Sequence, residues 1–595
     1  MPNSTMQVSR PYIRPESIRS LDPTQKIDSS VSTTHIVEGL AEHTVTIHLK
    51  AKKSPGPVHI DWYVPLVDIA GKWHPTIGSD RSLTSGWTQT IQNYATYSAP
   101  VYSLFSAQSE NRHTFALSDA INPTGIRVQV EEDDATINCR IVLFDSPWPE
   151  IDSYRITIRI DERALPFHKA VASTADWWAK MDAYTPAPVP AAAYDPVYSS
   201  WYSFHQELSD QAIEENCKWS KGYNCKTLIL DDGWQTDDSN KGYDYCGDWE
   251  VATSKFPDFK SHVAQVKAMD MRYMVWFSVP FVGKKSKAWH RFSDRVLPKA
   301  FKPAPCLDPR FAEARQMLIN CYRDALIDWN IDGFKLDFVD RFTAEAEVQS
   351  TQETADMVAV PAAADRLFTD IITELRAIKP DVLIEFRQDY IGPAMRKYGN
   401  MLRAHDCPND ALSNLVRTID LRLLAGNTAV HSDMVMWHPE ESVERAAQQL
   451  WAILFSVPQI SVRKGVTPAP HEGMLKNFMS LWVERKELLL HGELTPLQPQ
   501  KLYPAVHAEN AEEHLVAVYQ DDYVVQLPEL STPKLTLINA TQKPKLYLEQ
   551  ATQKNTYQGT VHNCLGETMG HISLKDPAGI RKIQIPASGY ALLSH

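Results

Sequence analysis

The stretch IDGFKLDFVDRF, residues 331–342, sets a lysine and an aspartate two positions apart inside an apolar run. Side chains alternate along a strand, so Lys335 and Asp337 point to the same face. Carboxylates are seldom buried without a partner. What surrounds that face depends on the segments on either side.

Outward from this stretch, short apolar strands alternate with helix-length segments. The strands read SSWYSFH, KTLILDDGW, RYMVWFSVPF, GFKLDFVD, DVLIEFRQD, NMLRAHD, TAVHSDMVMW and PQISVR, and segments such as RFAEARQMLINCYRDALIDWN separate many of them. Eight strands alternating with helices over roughly 300 residues predict a (β/α)₈ TIM barrel. Before the barrel the period is two. Val45, Ile47 and Leu49 share a face, as do Ile126, Val128 and Val130, and Ile156, Ile158 and Ile160. With turn-rich breaks between them, these strands predict a β-sandwich. YTPAPVPAAAYDPVY, rich in Pro and Ala, reads as a stiff linker. EHLVAVYQ, PKLTLINA and RKIQIPASGYALL return to short strands near the end. The expected chain is therefore multidomain, α/β plus β: an N-terminal β-sandwich (1–183), a linker (184–198), a catalytic barrel (199–495) and a small antiparallel β-domain (496–595).

Composition bounds the function. The 595 residues are 43% hydrophobic and 22% charged, with a net charge of -13. That balance argues against a nucleic-acid partner and suits an uncharged substrate. The N-terminal residues show no secretory signal, and no stretch approaches the ~18 apolar residues of a membrane span. Eight scattered cysteines without a CxxC pair read as free thiols of a reducing compartment, so a cytoplasmic location is expected. Sixteen Trp and 23 Tyr suit the CH faces of sugars, although most aromatic rings simply pack cores.

A barrel's active site lies at the C-terminal ends of its strands. Those ends carry Asp231 and Asp232, Trp276, Lys335 and Asp337, Glu385, Arg387 and Asp389, Arg403 and Asp406, then His431 and Asp433. Taken alone, Asp337 reads equally well as an ion-pair partner of Lys335; the ring as a whole reads as a polar pocket. Carboxylates without a phosphate-cradling glycine loop point to acid/base or nucleophilic work on a hydroxylated substrate. Retaining glycosidases need two, about 5–5.5 Å apart. Asp337 on the fourth strand and Asp406 on the sixth are the candidates. Lys335 would keep Asp337 ionised, and Asp406 would need a raised pKa to donate a proton.

Several motifs resemble the α-galactosidases of glycoside hydrolase family 36 and their clan, which includes family 27. LILDDGW is similar to the clan's second-strand motif, which implies that Asp231 and Asp232 bind sugar hydroxyls and that Trp234 belongs to the site. GDWEVATSKFP follows it, with Trp249 as an implied pocket residue. GFKLDF is similar to the fourth-strand K-x-D, which implies Asp337 as nucleophile and Lys335 as a sugar ligand. LRAHDCPND implies Asp406 as acid/base with Arg403 beside it. Two departures stand out. LIEFRQDYIGPAM replaces the family's Cys-Ser-x-Gly-Gly-Gly-Arg run, keeping Arg387 and Asp389 but adding Glu385 and Phe386. WFSVP, which follows Val275, lacks the acidic residue of W-F-E-P-E.

The resemblance implies a retaining exo-α-glycosidase, foremost an α-galactosidase acting on an oligosaccharide or small α-glycoside through a covalent glycosyl-enzyme. Open alternatives are another α-linked sugar, a transglycosidase similar to raffinose synthases, and a non-catalytic sugar-binding protein. An isomerase or aldolase using Lys335 as a Schiff base is a further one. No cofactor or metal is expected; His431, Asp433 and His438 as ligands are the weaker reading. Cys407 reads as a buried thiol. WYSFH (201–205) reads either as an aromatic wall opening the first strand or as core. Family relatives often form oligomers, which leaves a homo-oligomer open.

Overall fold

The computed structural model describes residues 12–595 except 87, 299–302, 344, 346–353, 552–554 and 576–577. Strand Leu40–Lys53 pairs antiparallel with Ile151–Asp161, and Val45, Ile47, Ile156, Ile158 and Ile160 are all buried as their alternation predicts. These strands belong to a six-stranded sheet that faces a five-stranded one. Their apolar faces meet in one core with Trp62, Phe115 and Ile126. The sandwich of the sequence reading is therefore present. Helix Phe167–Ala179 leaves it with Phe167, Val171 and Trp178 buried.

Eight parallel strands follow: β1 (Val197–Ser199), β2 (Thr227–Leu230), β3 (Arg272–Ser278), β4 (Gly333–Asp337), β5 (Leu383–Arg387), β6 (Met401–Arg403), β7 (Ala429–His431) and β8 (Gln459–Ile460). β1 pairs with β8, while single bridges, His431 with Val457 and Val435 with Ile460, complete the ring. Seven of the eight expected strands are found in place, and the first begins earlier, at Val197, inside the stretch expected as linker (184–198). β1 ends at Ser199, and Trp201–Phe204 is a single helical turn. Val197 and Tyr198, both fully buried, satisfy the wall, and the turn then directs Phe204 into the core.

Close approach of β4 to β5 requires glycine. A Cβ on Gly333 would lie 2.2 Å from the carbonyl oxygen of Leu383. Just before it, Asp332 sits between Lys379 (2.7 Å) and Lys267 (3.1 Å) at the strand's entry. The C-terminal region forms a seven-stranded and a three-stranded sheet. Its pairing is mainly antiparallel, with two parallel pairs, Glu513–Val518 beside Lys534–Asn539 and Val524–Leu527 beside Leu546–Gln550. No helix among the described residues is long and apolar enough to cross a membrane.

One buried carboxylate ties the three parts together. Asp420, on the helix Ala411–Ala425 of the barrel, accepts from Arg81 Nη2 (2.6 Å) and Trp73 Nε1 (2.9 Å) of the sandwich. It also accepts from Tyr503 Oη (2.6 Å) of the C-terminal region. All four residues are buried. Removing one partner of such a pair strands the other charge in a poor solvent. Asp420→Ala is expected to lower the unfolding free energy by about 3–5 kcal/mol in urea titrations at neutral pH. A loss below about 1 kcal/mol, the range of exposed pairs, would show that water reaches the knot.

Candidate active site

β4 alternates as the sequence predicts: Phe334 and Leu336 are buried in the apolar core, while Lys335 and Asp337 turn into the barrel. The two do not pair with each other. Lys335 Nζ lies 2.6 Å from Asp231 Oδ2 at the end of β2. The direct cation of Asp337 is Arg387 at the end of β5, with Nε 2.7 Å from Oδ1. That oxygen also accepts from Tyr390 Oη (2.5 Å) and the Phe338 amide (2.8 Å). Among the described residues Oδ2 accepts only from Trp276 Nε1, at 3.1 Å. Burial pushes the Asp337 pKa up, but Arg387, then Lys335 and the Tyr390 hydrogen bond, outweigh it and hold the carboxyl well below its ordinary value.

Asp231 and Asp232 follow β2 directly. The Asp231 amide donates to Ser200 Oγ (2.9 Å), and the Asp232 amide donates to Asp231 Oδ1 (2.9 Å). Asp232 accepts from Gln206 Nε2 (2.7 Å) and Gln235 Nε2 (2.6 Å). It has no direct cation in that set. Burial is the main cause that lifts it to about 6, helped by the charge of Asp231 and opposed by the two amides.

Arg403, at the end of β6, is 1% exposed and serves three carboxylates. Nη1 lies 2.5 Å from Asp433 Oδ1, Nη2 lies 2.8 Å from Asp406 Oδ1, and Nε lies 3.6 Å from Glu385 Oε1. Asp433 also accepts from Tyr202 Oη (3.0 Å) and the Cys407 amide (2.7 Å). Burial raises the pKa of Asp433 and of Glu385. Asp406 differs from both, since its side chain is 44% exposed at the mouth. Burial of its surroundings pushes it up, yet Arg403, Arg387 and Lys335 bring it down to about 2, and the charge of Asp337 is felt there as well.

The structure thus brings Asp231, Asp232, Trp276, Lys335, Asp337, Arg387, Arg403 and Asp406 together. Glu385 lies on the same face of β5 one step below Arg387, 0% exposed and bonded to Gln459, so it supports Arg403 from beneath. Asp389 is half-buried, and its carbonyl accepts from the Ser98 amide of the sandwich (2.6 Å). Trp234 faces away from the mouth: its ring packs on Phe259, Phe277 and Trp329, and Nε1 donates to the Trp276 carbonyl. Trp249 packs beside it on Phe277, meets the ring of Trp276 edge-on, and borders an outer cleft lined by Glu313, Gln316 and Trp329. Both rings fill the space between strands and helices, because the turn after Asp232 carries the chain outward.

His431 bonds the Ala193 carbonyl, and His438 is exposed and accepts from the Glu440 amide, so the two point to different partners. Burial pushes the Cys407 thiol up. Sequence reading missed Tyr390, Gln206, Gln235 and Tyr202, which hold the catalytic-site carboxylates, and Tyr243, whose ring meets Trp276, Phe281 and Phe338. Tyr390 had a visible signal, its place two residues past the strand-end pair Arg387 and Gln388.

Arg387→Gln leaves Asp337 buried without its direct cation, so burial should raise that carboxyl above its unfolded value. A raised carboxyl costs stability where the unfolded chain is ionised and costs none once both forms are protonated. The Tm of Arg387→Gln relative to wild type is therefore expected to be lowest near pH 7. The deficit should shrink as the pH falls toward 4, read by thermal scans across that range. A deficit independent of pH would assign the loss to packing alone.

Residues 192–450 match the sequence profile of the Melibiase family. The probable α-galactosidase C of Aspergillus flavus is 24% identical over 147 residues, 23% of this chain and 19% of that protein. The chain thus aligns with only about a fifth of such a curated relative. A family 36 α-galactosidase of Geobacillus stearothermophilus has a similar fold (TM-score 0.68, 14% identity, 96% of this chain and 81% of that one). An α-galactosidase of Thermus thermophilus does too, with a TM-score of 0.52 and 15% identity over 80% of this chain and 98% of that one. At these identities the structural likeness establishes the three-part fold. The profile match goes further, and by it the barrel region, residues 192–450, is similar to the Melibiase family, a family of glycoside hydrolases.

Proposed function

We propose that the chain is a retaining exo-α-glycosidase that hydrolyses terminal α-galactosides, with Asp337 as nucleophile and Asp406 as acid/base. The observation that carries this reading is the asymmetry of Asp337. Three donors saturate Oδ1, one indole touches Oδ2, and Arg387 keeps the group ionised. A carboxylate held by one oxygen presents the other for attack. The Geobacillus enzyme was solved with raffinose and the Thermus enzyme with p-nitrophenyl α-D-galactopyranoside, which supports galactose as the sugar bound.

Asp337 Oδ2 attacks the anomeric carbon and forms a β-glycosyl ester as the glycosidic bond breaks. Asp406 gives its proton to the leaving oxygen, then takes one from water, which releases the sugar with its α configuration retained. In this structure Asp406 is paired with Arg403 and ionised, which suits the second step. For the first, a substrate that covers its exposed face strips water from the carboxylate and raises its pKa. Arg403 keeps Asp433 and Glu385 as its anions meanwhile. Asp231, Asp232 and Lys335 face the ring hydroxyls, where contacts that tighten in the transition state raise the rate.

Asp337→Ala is expected to lower kcat for p-nitrophenyl α-galactoside by about 10³–10⁵-fold, with azide restoring turnover as the β-galactosyl azide. Absence of phenol release by wild type from every α-glycoside tested would sink the hydrolase reading and direct attention to sugar-to-sugar transfer. Asp406→Ala should separate leaving groups. Raffinose, whose leaving oxygen needs a proton, is expected to lose at least about tenfold more activity than the aryl glycoside. Equal losses on both would remove Asp406 from the acid role.

A further inference from the structure

Strands from both C-terminal sheets line a cavity of about 590 Å³, remote in sequence from the barrel mouth. Small-molecule sites run to roughly 300–1,000 Å³. Along Leu546–Gln550 the buried face carries Leu546, Leu548 and Gln550. The two leucines join the apolar core of the region. Gln550, 2% exposed, lines the cavity, and neither its amide nitrogen nor its amide oxygen has a hydrogen-bond partner among the described residues.

A second polar chain sits opposite an apolar expectation. On Ala505–Glu509, His507 shares the face of the core residue Ala505. Its Nδ1 lies 3.0 Å from His514 Nε2, and His514 Nδ1 lies 3.1 Å from Glu509 Oε2. His507 Nε2 is buried without a partner among the described residues. Burial, then the neighbouring His514, pushes His507 down to about 3, so its ring is neutral. Leucine or valine would fill these places at no desolvation cost, whereas an orphaned buried amide bears all of it.

The unsatisfied atoms define the chemistry of what would satisfy them. Gln550 offers two donors and an acceptor side by side, and a hydroxyl group answers both. Among the described residues the rest of the lining includes Glu493, Glu509 and Glu549 and no lysine or arginine, which disfavours an anion. A cation would satisfy the carboxylates but face the Gln550 N–H donors. We propose that this cavity is a second binding site, for a small neutral polyhydroxylated molecule such as a mono- or disaccharide. Gln550 and His507 are its buried hydrogen-bonding groups, and Glu549 and Glu509 accept hydroxyls at its edge. The site is independent of the reaction assigned to the barrel.

Hydrogen–deuterium exchange of the full chain tests it, because the readout is local. With D-galactose, D-glucose or sucrose at high millimolar concentration, at least one sugar is expected to slow exchange in Ala505–Glu509, Glu513–Val518 and Leu546–Gln550. Gln550→Leu should weaken that protection at least about tenfold in apparent Kd while leaving the barrel's own response to sugar unchanged. Should Gln550→Leu fail to fold, Glu549→Gln, at an exposed position, must weaken the protection instead. No protection by any of the three sugars, protection only by a cation such as spermidine, or protection that survives the substitutions would each overturn the proposal.

Discussion

Charge buried in a barrel mouth has to be neutralised locally, and that constraint organises this molecule. Six carboxylates converge there, Asp231, Asp232, Asp337, Glu385, Asp406 and Asp433, against the cations Lys335, Arg387 and Arg403. The cations divide them. Asp337 and Asp406, where the pull of Arg387 and Arg403 outweighs burial, are held low, while burial lifts Asp232, Glu385 and Asp433 even though Arg403 reaches the last two. The groups assigned to bond-making are the ones held low, and the other carboxyls form a supporting layer around them. One guanidinium with three anions lets the charge on Asp406 respond to what covers it, since Arg403 is never left alone.

The mouth is held from outside the barrel too. The loop Tyr94–Ser98 of the sandwich donates to carbonyls at three places: Ser98 N to Asp389, Tyr94 Oη to Asp340 and Thr96 Oγ1 to Phe342. These carbonyls flank Tyr390 and the turn after Asp337, which supply hydrogen bonds to the Asp337 carboxylate. The sandwich therefore contributes to positioning the site, and the buried Asp420 knot keeps it in place. The C-terminal region reaches the same knot through Tyr503 while carrying a polar cavity of its own.

Much of the fold was legible in the sequence because its signals are local. Alternation marked Val45, Ile47 and Ile156 as a sandwich face, and seven of the eight barrel strands were found in place from short apolar runs. The helical turn at Trp201–Phe204 was not, since an aromatic run beside a strand has no period long enough to separate the two. Among the site residues, Asp337, Lys335, Asp231 and Arg403 could be read from position at strand ends. Trp234 and Trp249 could not be placed, because the direction of a loop after its strand depends on the helices packed behind it.

Pairing was decided by the tertiary structure alone. By itself the sequence determined which side chains share a face, since two-residue alternation fixes Lys335 and Asp337 to one side of β4. It could not say that Lys335 would pair with Asp231 and leave Asp337 to Arg387 and Tyr390. Those partners come from strands about 50–105 residues apart, and their distances depend on the barrel's closure and stagger. The same holds for protonation: residue type gives each carboxyl an ordinary pKa, and only burial and the position of three cations decide which is ionised.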